Sequence, residues 1–194
     1  MTALITLSDI KNYKPISSNI NTANKLDVYI SEAQHMDLRP LLGDPFYYDL
    51  LKDFEGSPSL NKYQDLYNGC EYQIGNYTFK HEGLKPILAY LTYSRFIISS
   101  NDEPTPFGQV QKTNPYSQPV PDKTLQSKSD QAKSGAFSYW EQTLKYLNHN
   151  YKKYPLWLIY FNGYDYDDFY CRRFGHHFGH LRNFKGRSRI SSVG

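Results

Sequence analysis

Apolar residues recur at helical spacing through most of the middle of this chain. Leu26, Tyr29, Ile30 and Ala33 fall three or four positions apart, the period that gathers side chains on one stripe of a helix. They predict an amphipathic helix over residues 23–37, with Thr22 or Asn24 as N-cap and Arg39-Pro40 as its stop. Gly43-Asp44-Pro45 reads as a new start, because a proline in the first turn lacks only an N–H that would have no intrahelical acceptor. A second helix is therefore expected to reach about Phe54. Gly56-Ser57-Pro58-Ser59 interrupts the chain, and a short third helix over residues 60–67 is closed by Asn68-Gly69.

The period then changes from three or four to two. Glu71-Tyr72-Gln73-Ile74 and Tyr77-Thr78-Phe79-Lys80 alternate around Gly75-Asn76, a two-residue loop suited to a tight hairpin because glycine accepts positive φ. A small hairpin over residues 71–80 is expected as the one regular β element, packed on the helices or projecting toward a partner, since two strands alone are not stable. Residues 84–100 are the most apolar stretch, with Leu84, Ile87, Leu88, Leu91, Tyr93, Phe96, Ile97 and Ile98 covering more than one face, as befits a central helix. Residues 102–121 hold five of the chain's eleven prolines and predict a long extended connection. Its interleaved Phe107, Val110, Tyr116 and Val120 favour a segment lying on a surface. Asp122 can cap a long helix over residues 123–151, carried by Leu125, Ala132, Ala136, Phe137, Trp140, Leu144 and Leu147. The two longest helices should form the core pair.

The predicted fold is mostly α, a helical core over residues 23–151 between two extended arms. Residues 1–22, sparse in apolar positions and containing Pro15, read as a loosely ordered or partner-dependent N-terminal arm. Residues 152–194 read as an aromatic and basic C-terminal arm. The longest apolar run, Leu156 to Phe161, is far shorter than a membrane span needs, so a soluble chain is expected. The start of the chain lacks the basic and apolar regions of a secretory signal, and Cys70 and Cys171 read as free thiols.

Composition sharpens the picture at the C-terminus. Hydrophobic residues make up 39% of the 194 positions, but 19 of them are tyrosines. Tyrosine buries a ring while its hydroxyl keeps a polar partner, which suits surfaces covered by another chain. Thirteen of the 32 aromatics lie between Tyr146 and Phe184, so Trp157, Tyr160, Phe161, Tyr164, Phe169, Tyr170 and Phe174 are the interface candidates, with Phe107 and Tyr116 of the proline-rich connection. The net charge is +3, yet Arg172, Arg173, Arg182, Lys185, Arg187 and Arg189 face no acid in residues 171–194, so the rest of the chain is mildly acidic. Such a basic tail meets carboxylates of a neighbouring protein, DNA phosphates or solvent.

Catalytic and metal signatures are sparse. Cys171, His176, His177 and His180 could ligate a metal, His176 and His180 sharing a face if helical, but a structural zinc site draws paired ligands from two places, and Cys70, His81 and scattered acids are the other sources. Stacking of these histidines at an interface is the simpler reading. Asp165-Tyr166-Asp167-Asp168 fails as a calcium loop, with Tyr170 and His176 where glycine and glutamate are required. No phosphate-cradling glycine loop, nucleophile elbow or His-Glu-x-x-His is present. Asp49 and Asp53, at i and i+4, fit a solvated helix face better than an acid–base pair. No cofactor is implied, and a non-enzyme is expected.

The run from Tyr29 through His35-Met36-Asp37-Leu38-Arg39-Pro40-Leu41-Leu42-Gly43-Asp44-Pro45 to Leu51 resembles head–tail connector, or adaptor ring, proteins of tailed phages, particularly crAss-like phages of gut Bacteroidales. The resemblance continues through Lys62-Tyr63-Gln64-Asp65-Leu66, the hairpin around Gly75, Gly83 to Tyr90, Thr105-Pro106-Phe107-Gly108 and Lys112-Thr113-Asn114, covering residues 23–150. It implies a connector-type helical bundle with an inserted hairpin. It also implies a virion protein, made in the host cytoplasm, that closes into a twelve-fold ring in the neck. Its partners would be copies of itself, the portal, downstream neck or tail proteins and, non-specifically, the DNA in the channel. The alternative reading is a DNA-binding module that uses the basic aromatic tail for phosphates and stacking.

Overall fold

The computed structural model describes residues 2–16, 22–54, 61–106, 108–111 and 118–157, and it is mostly helical. In chain order the elements are α1 (Leu7–Tyr13), α2 (Thr22–Glu32), a π-helical turn (Ala33–Leu38), α3 (Arg39–Leu42), α4 (Asp44–Asp53) and α5 (Asn61–Asn68). There follow the hairpin β1 (Cys70–Ile74) and β2 (Tyr77–His81), the central helix α6 (Leu84–Ile98), a second hairpin β3 (Asp102–Thr105) and β4 (Gly108–Gln111), and α7 (Asp122–His149). A 3-10 turn, Tyr151–Lys153, follows α7.

As the apolar pattern predicts, α6 and α7 form the core pair. Small residues let them approach: buried Ser129 of α7 donates to the Ser94 carbonyl at 2.9 Å, and a Cβ on Gly135 would stand 2.5 Å from the Tyr90 ring. Around this pair, Leu26, Leu38, Leu42, Phe46, Leu50, Leu66, Leu84, Leu88, Trp140 and Leu147 close one continuous core. Each such side chain contributes roughly 1.5–3 kcal/mol by leaving water. Among the described residues no helix is long and apolar enough to cross a membrane.

Four sequence expectations change. Residues 1–22 are not simply an arm: Thr6 and Asp9 form a reciprocal capping box that starts α1, and Leu4, Ile5 and Ile10 are buried. Gln34 holds this segment, its Oε1 accepting from the Leu4 N–H at 2.6 Å and its Nε2 donating to the Thr2 carbonyl at 3.3 Å. The short apolar run was too brief to show a period, which is why it reads as loose.

Arg39-Pro40 does not end the helix that begins at Thr22. The backbone continues through a π turn, whose last bond runs from the Arg39 N–H to the Gln34 carbonyl, and stops at Gly43 (φ 78°). A wider turn relieves the clash that a proline ring makes with the preceding turn and absorbs its missing donor.

The third change is a second β element where an extended connection is expected. β3 and β4 pair antiparallel, Thr105 opposite Gly108, and Asn101 Nδ2 donates to the Val120 carbonyl at 2.6 Å, drawing the far end of the connection back to its start. Prolines at 104 and 106 hide this pairing from pattern reading, since strands with proline are normally edges.

The fourth concerns the core's C-terminal limit. Tyr154 and Trp157 are buried: Trp157 packs against Phe46 and Trp140 and donates Nε1–H to Asn148 Oδ1 at 3.1 Å. The core therefore extends to residue 157, and Trp157 is an intramolecular core residue rather than an interface aromatic.

Candidate functional site

Among the described residues the β1–β2 hairpin carries three of the exposed large apolar side chains, Ile74, Tyr77 and Phe79, and its base is fixed by backbone contacts. Gly69 ends α5 and Gly83 precedes α6, both with positive φ (85° and 80°). They sit back to back: a Cβ on Gly69 would lie 2.5 Å from the His81 carbonyl oxygen, and one on Gly83 2.5 Å from both Gly69 N and the Tyr67 carbonyl oxygen. Neither backbone can yield, so only glycine fits, and the hairpin leaves the helical core at a set angle.

Register sorts its side chains into two faces. Cys70 lies opposite His81, Tyr72 opposite Phe79 and Ile74 opposite Tyr77, whereas Glu71 faces Lys80 and Gln73 faces Thr78. Opposed residues share a face and alternate along the strand. One face is thus apolar from base to tip and the other polar, closed by a Gln73 Nε2 to Thr78 Oγ1 bond of 2.8 Å.

The base of the apolar face is covered by α7. The His81 ring stacks on Tyr146 with centroids 4.0 Å apart, and Tyr72 meets both Tyr146 (5.2 Å) and His149 (5.8 Å). Among the described residues nothing covers the tip: Ile74 is 37%, Tyr77 74% and Phe79 42% exposed, and Phe79 stacks on Tyr72 across the ladder.

Beneath the hairpin lies a buried polar chain. Cys70 Sγ is 3.5 Å from His81 Nε2. Tyr154 donates its hydroxyl to the Lys62 carbonyl at 2.6 Å, so the 3.0 Å contact between Tyr146 and Tyr154 has Tyr146 as donor. Burial holds the His81 imidazole down at about 4 and raises the Cys70 thiol and both tyrosine hydroxyls. At neutral pH this is a thiol beside a neutral imidazole, not the thiolate that nucleophilic cysteine chemistry needs. The pair tethers β1 to β2 and closes the hairpin onto α7.

A second polar cluster stitches α6 to the π turn. Arg95 grips Asp37 with two bonds, Nε to Oδ2 at 2.7 Å and Nη2 to Oδ1 at 2.9 Å, and reaches Glu32 at 3.3 Å. The carboxylates hold the guanidinium firmly protonated. On α4, Asp49 accepts from the Tyr63 hydroxyl, which ties α4 to α5. Among the described residues no group of three or more histidine, cysteine or acidic side chains could hold a metal ion.

Of the sequence-predicted site residues, only Trp157 falls within the described part, and it is buried. Phe107, Tyr116, Tyr160, Phe161, Tyr164, Phe169, Tyr170, Phe174, the cations Arg172, Arg173, Arg182, Lys185, Arg187 and Arg189, and the Cys171, His176, His177, His180 group lie outside the described residues. The sequence left open whether the hairpin packs on the helices or projects toward a partner; its base packs on α7 while Ile74, Tyr77 and Phe79 are exposed, and none of these three was among the predicted site residues.

A helical bundle with a pinned, half-covered hairpin is the class of molecule these contacts define. Residues 38–160 match the model of the DUF6712 family, a family of unknown function, and the chain belongs to that family. No curated protein and no solved structure matches it.

Proposed function

We propose that this chain is a non-catalytic structural subunit of a tailed-phage neck, forming with its copies a ring that joins the portal to downstream neck or tail proteins around the DNA channel. The observation that supports this best is the hairpin, a rigidly mounted projection whose apolar tip has no partner within the described subunit. An isolated subunit gains nothing from holding Ile74 and Tyr77 in water at a fixed angle, whereas an interlocking ring does. The connector-like motifs between residues 23 and 150 supply the setting, and the twelve-fold symmetry is that of the connectors they resemble.

Deleting the gene from its phage is the direct test. DNA-filled heads that leak or fail to join tails are expected, with negative-stain images lacking one ring of the neck. Complete, infectious virions from the mutant would overturn the reading.

A further inference from the structure

Both long edges of the β1–β2 hairpin are unpaired among the described residues. Each strand has the other as its neighbour in a two-stranded sheet, and no backbone bond from another described element reaches Glu71, Gln73, Thr78 or Lys80. Those four residues own the free edge groups. A two-residue loop is closed by a bonded pair, here Ile74 with Tyr77, and bonded and non-bonded pairs then alternate, so Tyr72 with Phe79 and Cys70 with His81 turn their N–H and C=O groups inward. Gln73 with Thr78 and Glu71 with Lys80 turn theirs outward, which leaves two donors and two acceptors on each edge. All four residues are exposed, and neither strand carries the proline or bulge that blunts many sheet edges.

The two edges complement each other. With β2 of one copy laid antiparallel beside β1 of the next, in the register the hairpin itself uses, Thr78 meets Gln73 and Lys80 meets Glu71 of the neighbouring copy, and every outward group is bonded. Side chains keep their faces in that register. The apolar row of Phe79 and Tyr77 continues into the next copy, and ammonium and carboxylate alternate along the polar row. A slip of two residues leaves edge groups unbonded, and a slip of one sets apolar beside polar. Pairing like edges puts Glu71 against Gln73, or Lys80 against Thr78, and joins no opposite charges. Lys80 already meets Glu82 at 3.0 Å, but that pair is exposed and competes weakly.

We infer that copies of this chain join through a continuous antiparallel ladder, β2 of one hairpin on β1 of the next. The contact is head to tail, the kind that closes rings rather than two-fold dimers. It rests on the ring reading above and names the joint between its subunits. The mount at Gly69 and Gly83 holds the edges at one angle before the copies meet, so little freedom is lost on joining.

The test uses two full-chain proteins with one new cysteine each, Gln73→Cys and Thr78→Cys. Placing them in separate chains prevents the hairpin from linking to itself. Each protein alone, and an equal mixture, is treated with a short bismaleimide, both as concentrated purified protein and in virions of the deletion phage supplied with the two variants. Mass spectrometry of the linked peptides separates these links from any at Cys70 or Cys171. A link between positions 73 and 78 of different chains is expected in the mixture and in neither protein alone. Links of 73 to 73 or 78 to 78 would overturn the ladder in favour of a symmetric pair. Virions that contain the protein without the 73–78 link, or no such link in either preparation, would overturn it as well, the first while leaving the ring reading intact. The link in purified protein with no copies in virions would support the ladder and sink the neck assignment.

Discussion

His81 is buried among Cys70, Tyr72 and Tyr146, and its Nδ1 has no hydrogen-bond partner among the described residues. Charging the ring there requires desolvation that the nearby Glu82 carboxylate offsets only in part, which is why it titrates near 4 in the folded chain and near 6.5 when unfolded. Between those values the unfolded state binds the extra proton, so His81's contribution is complete above about pH 6.5 and is lost as pH falls toward 4. Urea unfolding across that window should show up to about 3 kcal/mol less stability at the acid end, and His81→Phe should flatten the slope. Equal slopes in the two proteins would remove His81 as the cause. Gly83 makes a pH-independent prediction. Gly83→Ala would force a side chain into left-handed backbone and against Gly69 N and the Tyr67 carbonyl oxygen. A loss of at least about 1–3 kcal/mol is expected in the same measurement, and a neutral result would mean that the hairpin base is not held as described.

The elements themselves divide into those whose period announces them and those held by single contacts. α4, β1–β2, α6 and α7 were legible because each repeats its period long enough to fix a buried side. α1 was not, because its seven residues contribute only Ile10 as a fully buried side chain, and the residues just ahead of it are held by Gln34, thirty positions from Leu4. Gln34→Ala should leave the Leu4 N–H without its acceptor, at about 1–3 kcal/mol. Proteolysis should then cut residues 2–13 before the rest of the core, and unchanged protection would assign the docking to Leu4 and Ile5 alone. The C-terminal limit was misread for a related reason: Pro155 suggests a break, while Tyr154 and Trp157 on either side of it are core. Truncation after Asn150 removes both buried rings and should lower stability by several kcal/mol, each large aromatic being worth about 3–5. Truncation after Trp157 should retain a cooperative thermal transition by circular dichroism. Similar melting of the two truncated proteins would contradict the packing of Trp157 on Phe46 and Trp140.

In the molecule as a whole, the two hairpins leave from opposite ends of α6, which is 15 residues and so about 22 Å long. One end carries the pinned apolar tip, the other the β3–β4 pair with Val110 exposed. If the first hairpin serves assembly rather than folding, Ile74→Ser with Tyr77→Ser should unfold at the parent's urea midpoint, within about 0.5 kcal/mol, yet fail to enter virions when supplied in trans to the deletion. Loss of folding would instead make the tip part of the stabilising core. How far this surface is exposed could not be read from the chain, since alternation says which residues share a face and not whether anything lies across it. The π turn carries a different consequence. Each residue of a helix advances the chain by about 100°, so the wide turn at Ala33–Leu38 resets the angular phase between Leu26 and Ile30 on one side and Leu41 and Leu42 on the other. Removing one residue there would regularise the hydrogen bonds while swinging Arg39, Gly43 and α4 around the axis, so this segment should tolerate substitutions far better than any change in its length.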